Sequence, residues 1–174
     1  MRLFVAIPVG EAARRSLELL VRGMRRPADG LRWTAPEGWH ITLVFLGETA
    51  AEKLPRLVDE LNSIRATAFS VEFGEPEVFE RAGALVVGVQ PSAGLTALQS
   101  IVTRAAEAAG FRREERAYRP HLTLARAKRG EQIRVQPGRA TVAGFTAREF
   151  VLFESFLEPA GARYEAKARL QLKS

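Results

Sequence analysis

His40-Ile41-Thr42-Leu43-Val44-Phe45-Leu46 and, later in the chain, His121-Leu122-Thr123-Leu124-Ala125 are the stretches on which the fold turns. Each alternates polar with apolar side chains, the period-2 pattern of a strand with one wet face and one buried face. In a pleated strand, residues i and i+2 point the same way. His40 and Thr42 are therefore expected to share one face while Ile41, Leu43 and Phe45 pack inward, and His121 and Thr123 share theirs while Leu122 and Leu124 pack inward. The chain has only 2 histidines. With Thr at roughly one position in twenty, both acquire a Thr two residues on by chance roughly one time in four hundred.

The same order of elements precedes both stretches. Phe4-Val5-Ala6-Ile7-Pro8 leads into a helix and reaches His40 32 residues after Pro8. Val86-Val87-Gly88-Val89-Gln90-Pro91 leads into a helix and reaches His121 30 residues after Pro91. Two copies of one strand, helix, strand unit are expected, with the histidine strands in equivalent positions of two lobes facing a pseudo-two-fold cleft.

Helix-period apolar stripes fall at Leu17, Leu20, Val21 and Met24, at Leu54, Leu57, Val58 and Leu61, and at Leu95, Leu98, Val102 and Ala105. Gly110 stands where a left-handed cap ends the third helix. Strands are expected at 3–9, 40–46, 69–73, 84–89, 121–125, 141–145, 150–157 and 164–172. No glycine fingerprint of a nucleotide-binding βαβ unit is present, so the fold class is α+β. The expected form is a bilobal duplicated fold with two mainly antiparallel sheets flanked by helices. No Pro/Gly/Ser linker divides the chain, so residues 1–174 are read as a single two-lobed domain.

A hydrophobic content of 47% over 174 residues is enough to bury a core. The absence of cysteine excludes a disulfide framework, a thiolate zinc site and a cysteine nucleophile. The start, Met1 to Ile7, has no signal-peptide pattern, and no apolar run approaches the roughly 18 residues of a membrane span. A cytoplasmic monomer without membrane attachment is expected. The charge is concentrated: between Phe111 and Gly130 seven basic residues face two acidic ones, a net +5 of the chain's +6. Such a segment around His121 suits an anionic partner.

Two imidazoles facing one space suit phosphodiester chemistry, in which one group takes a proton from the attacking oxygen and another returns one to the leaving oxygen. Histidine, with an unperturbed pKa of about 6.5, supplies both forms near neutrality. Thr42 and Thr123 can donate to non-bridging phosphate oxygens. No Asp, Glu or Cys pattern completes a ligand set, so no metal is required.

The chain resembles the two-histidine phosphoesterases, specifically the bacterial and archaeal RNA 2',3'-cyclic phosphodiesterases, also called 2'-5' RNA ligases. The likeness lies in Arg2 to Pro8, in His40 to Glu48, in Tyr118-Arg119-Pro120-His121-Leu122-Thr123-Leu124-Ala125-Arg126, and more loosely in Phe153, Ser155, Leu157 and Tyr164. It implies an enzyme that opens a 2',3'-cyclic phosphate at an RNA end to a 2'-phosphate, and no cofactor is expected. His40 would be the proton donor to the departing 3' oxygen, and His121 the acceptor that activates water. Arg126 matches an arginine of the family pattern and would grip the phosphate, provided the strand bends by Ala125, because strict alternation puts it on the face opposite His121. Phe4, an aromatic on the first strand, is a candidate platform for the terminal base, an ambiguity shared by Trp33 and Tyr118. Val44 departs from a position where relatives often carry a basic residue.

Other readings compete with hydrolysis. The same acid and base serve ATP-independent 2'-5' ligation, a small cyclic nucleotide is another substrate, and the basic segment alone suits a non-catalytic RNA-binding module.

Overall fold

The computed structural model describes residues 1–135, 141–159 and 161–174. It is an α+β protein with antiparallel strand pairing throughout its main sheet, as the alternation of elements leads one to expect.

The first lobe lines up β1 (Arg2–Pro8), β3 (His40–Glu48), β9 (Glu149–Glu158) and β10 (Gly161–Gln171) in the order β10-β9-β1-β3. The second comprises β5 (Phe73–Phe79), β6 (Ala84–Val89) and β7 (His121–Ala127) in the order β7-β6-β5, with the short β2 (Leu31–Trp33) paired to β7. These two half-sheets meet at one residue pair, Ile41 with Leu122, so the eight strands form one continuous sheet with a narrow joint. A small sheet of β4 (Phe69–Val71) and β8 (Phe145–Ala147) lies apart.

Among the described residues three α-helices cover the sheet, each where its apolar stripe is expected: α1 (Glu11–Met24), α2 (Leu54–Asn62) and α3 (Ala93–Ala108). Ser92 caps α3, its hydroxyl accepting from the Leu95 amide at 3.2 Å. Gly110 ends it with φ +87°, a left-handed value that an L side chain rarely adopts.

Two of the helices, α1 and α3, are exchanged between halves, while α2 packs on its own half. Leu17, Leu20 and Met24 of α1 pack with Leu85, Val87, Leu122 and Leu124 of the second lobe. Leu95, Leu98 and Val102 of α3, with Leu57 and Leu61 of α2, pack on Leu3, Val5, Ile41 and Leu152 of the first.

Some strand boundaries differ from expectation. The stretch 69–73 is split between β4 and β5, and the expected strand at 141–145 is present only as Phe145 to Ala147. β2 and β5 carry weak strand signals: β2 is three residues long, and Gly74 and Pro76 interrupt the β5 pattern, as befits the edge strand it is. The duplication also has a different offset from the one the prolines suggest. Pro8 pairs with His40 while Gly88, not Pro91, pairs with His121.

Candidate active site

The joint between the lobes places both motifs. Ile41 and Leu122 are fully buried, each with its side chain on the core side. Their antiparallel pairing brings His40 opposite Thr123 and Thr42 opposite His121 on the other face. Each histidine thus neighbours the threonine of the other motif, around the pseudo-two-fold axis.

Both imidazoles are held by one device. His40 Nδ1 lies 2.7 Å from the carbonyl of Gly38, and His121 Nδ1 lies 2.7 Å from the carbonyl of Arg119, each two residues upstream. A carbonyl only accepts, so Nδ1 carries the hydrogen and Nε2 is left for chemistry. No side-chain signature in the sequence marks these carbonyls.

The two sites differ in their surroundings. The His40 ring packs at 4.8 Å from Phe4 and 5.1 Å from Tyr164, at 87° to the latter. Burial pushes its pKa down from 6.5 to about 4; the positive charges of His121 and Arg126 push the same way, and the Gly38 hydrogen bond opposes them. His121 meets the edge of Phe79 at 4.9 Å. The guanidinium of Arg119 lies over that same ring at 4.2 Å and bonds Glu77 at 2.8 Å.

A β-bulge repeats in both lobes and decides which residues join the cleft. In β3 the register skips Leu43 between Val44, opposite Val5, and Thr42, opposite Ala6. In β7 it skips Leu124 between Ala125, opposite Leu85, and Thr123, opposite Val86. The bulge supplies the bend that Arg126 requires: Leu124 and Ala125 are buried in succession and Arg126 is exposed on the side of His40, whose proton affinity its charge lowers. Phe45 is the counterpart of Arg126 in the first lobe. It does not pack inward as alternation suggests but is 53% exposed, stacked 5.7 Å from Phe4.

Phe4 itself requires a correction. It is 1% exposed, hemmed in by His40, Phe45, Phe153 and Tyr164, so it has no free face for a base and serves as the floor beneath His40. Trp33 is engaged through its indole N–H with Asp29 at 2.8 Å. Tyr118 is likewise engaged, its hydroxyl donating to the Thr42 carbonyl at 3.0 Å. Phe79 and Tyr164 flank the histidines without having been singled out as site residues, because their strands place them there; only the looser part of the family likeness touches Tyr164, and nothing in the sequence marks Phe79. Arg112, Arg113 and Arg116 are exposed, with Arg116 only loosely near Glu114 at 3.8 Å.

Among the described residues, no group of three or more His, Cys, Asp or Glu is arranged to hold a metal ion, and no helix is long and apolar enough to cross a membrane.

Comparison with known proteins bears on this geometry. A family model described as the 2'-5' RNA ligase superfamily matches residues 13–154. An RNA 2',3'-cyclic phosphodiesterase of Archaeoglobus fulgidus is 31% identical over 95% of this chain and 97% of its own length. One from Escherichia coli is 28% identical, with 98% and 96% covered. Among solved structures, E. coli LigT complexed with 3'-AMP superposes with a TM-score of 0.86 at 28% identity, covering 99% of this chain and 98% of that one.

Proposed function

The chain belongs to the 2'-5' RNA ligase superfamily, and from that membership we propose that it hydrolyses a terminal 2',3'-cyclic phosphate of RNA to a 2'-phosphate by paired histidine catalysis. The observation that carries the reading is the matched pair of imidazoles, each fixed through Nδ1 to a main-chain carbonyl and each left with Nε2 for proton transfer.

In this mechanism His121 Nε2 takes a proton from water as its oxygen attacks phosphorus. The bond from phosphorus to the 3' oxygen breaks, and His40 Nε2 delivers a proton to that oxygen. Thr42 and Thr123 donate to the non-bridging oxygens, and the Arg126 guanidinium offsets their charge. No metal or cofactor takes part.

His40 is neutral in the free protein at pH 7, since its pKa is about 4. A phosphate anion placed beside it restores the proton it must donate. Substrate binding and charging of the acid are thereby one event.

Residues 1–174 act in this reading as one two-lobed unit, a monomer working on RNA ends in the cytoplasm without membrane attachment. The deciding experiment is incubation of the protein, in chelator, with a short RNA ending in a 2',3'-cyclic phosphate. A 2'-phosphate product supports the proposal. A joined RNA product would instead support ATP-independent 2'-5' ligation, and binding without turnover a non-catalytic module.

A further inference from the structure

The carbonyls that fix the two imidazoles are themselves held by different means. Gly38 closes a short 3₁₀ turn, Pro36–Gly38, in which its N–H donates to the Ala35 carbonyl at 2.9 Å and the Trp39 N–H donates to that of Pro36 at 3.3 Å. The ring of Tyr164 packs so closely there that a β-carbon on Gly38 would come 3.3 Å from its Cε2. Arg119 has no such turn around it, since residues 111–120 form neither helix nor strand. The peptide group that carries its carbonyl ends in the nitrogen of Pro120, which has no hydrogen to give to a neighbouring strand.

The side chain of Arg119 supplies the missing hold. Its guanidinium lies over the Phe79 ring, 4.2 Å from the centroid, and donates to Glu77 Oε2 at 2.8 Å. Glu77 and Phe79 stand two residues apart on the edge strand β5 and so share a face. That face also carries His121, whose ring Phe79 meets at 4.9 Å with the planes at 61°. A planar guanidinium can stack and bond at once, which an ammonium cannot.

The neighbouring strand leaves room for the carboxylate. Gly88 stands opposite His121, and a β-carbon there would come 3.3 Å from Glu77 Oε1. Its φ is not positive, so space and not backbone conformation accounts for a glycine at this position. An exposed ion pair by itself fixes little. Here the same side chain is gripped at two points by one strand, and its own main chain holds the imidazole.

We propose that the Arg119 side chain, clamped between Phe79 and Glu77, is a positioning residue for His121: it fixes the carbonyl that keeps the hydrogen on Nδ1 and turns Nε2 to the cleft. The inference rests on the two-histidine reading of the site. Without the clamp the imidazole samples other orientations and the other tautomer, and a smaller fraction of molecules has its base in place.

The test joins kinetics on a 2',3'-cyclic phosphate to nitrogen NMR of the imidazoles, with His40 as the internal reference because the chain has 2 histidines. Arg119→Ala should lower kcat by roughly ten- to a hundredfold and change KM by less than about twofold. The neutral His121 should pass from a single tautomer, with Nε2 bare, to a mixture, while the His40 signals stay in place. Glu77→Gln, at a half-exposed position, should shift both readouts the same way by less, and the double variant should be no worse than Arg119→Ala. A raised KM with kcat intact would make Arg119 a substrate contact and overturn the proposal. So would an unchanged His121, equal shifts at both histidines, or additive losses in the double variant. If the wild-type protein opens no cyclic phosphate, the enzymatic reading fails, while the tautomer of His121 in the variants still decides whether the clamp positions it.

Discussion

The Tyr118 hydroxyl donates to the main-chain carbonyl of Thr42 at 3.0 Å, while the next residue, Arg119, holds His121 through its own carbonyl at 2.7 Å. The segment that introduces the second motif thus ties down the first. Burial raises the Tyr118 pKa, so the hydroxyl remains a donor across the working range.

Tyr118→Phe deletes only this donor to the Thr42 carbonyl, a net cost of about 0.5 to 1.5 kcal/mol. For a protein of this size, melting should fall by roughly 2 to 4 °C per kcal/mol. Turnover should drop because Thr42 loses its anchor, with KM changed less than kcat. Thermal melting and steady-state kinetics of the variant check this. A loss of stability with kcat intact would reduce Tyr118 to a packing role.

The histidines should behave as a unit. His40→Ala and His121→Ala should each lose about 10²- to 10⁴-fold in kcat, and the double variant little more. Thr42→Ala and Thr123→Ala should lose less, since each removes a hydrogen bond and leaves both proton transfers. A correctly folded single-histidine variant with near wild-type turnover would refute the mechanism.

The depressed His40 pKa has a stability consequence of definite sign. Unfolded, the imidazole takes a proton below about 6.5; folded, only below about 4. Between these values the unfolded chain binds more protons, so stability falls as pH drops through that window, by about 3 kcal/mol at roughly 1.4 kcal/mol per tenfold. Denaturant titrations at pH 7 and pH 4.5 should show the loss in the wild type and a smaller one in His40→Asn. Identical losses in the two proteins would assign the effect to other groups.

The same residue shapes the activity profile. Because bound phosphate recharges His40, the alkaline limb of kcat should lie at higher pH than that of kcat/KM, which reports the free protein. Coincident limbs would mean that the substrate does not load the acid.

Chelation provides an independent check. With no metal-ligating cluster among the described residues, activity should survive excess EDTA. Activity abolished by chelator and restored by Mg²⁺ or Mn²⁺ would sink the acid-base scheme.

The pairing of His40 with Thr42 and of His121 with Thr123 on one face was legible because strand alternation is a property of sequence alone. The two lobes were legible from a different signal, the same strand, helix, strand order ahead of each histidine. Phe45 was not, and Arg126 was reached only through the family resemblance and not by alternation, because a one-residue bulge at Leu43 and at Leu124 reverses the alternation and carries no clear residue signature. Phe4 looked available because strand position says nothing of the rings stacked around it. The Gly38 and Arg119 carbonyls were invisible for a simpler reason: any residue supplies one.

The exchange of α1 and α3 between the lobes bears on descent. A half-length ancestor with one strand, helix, strand unit would have kept its sheet uncovered, because the helix it encoded lies over the other copy's strands. Such a chain would cover its strands only by pairing with a second copy, each bringing one histidine to a shared axis. In the single chain the two copies are free to differ, and equivalent positions hold an arginine at 126 and a phenylalanine at 45.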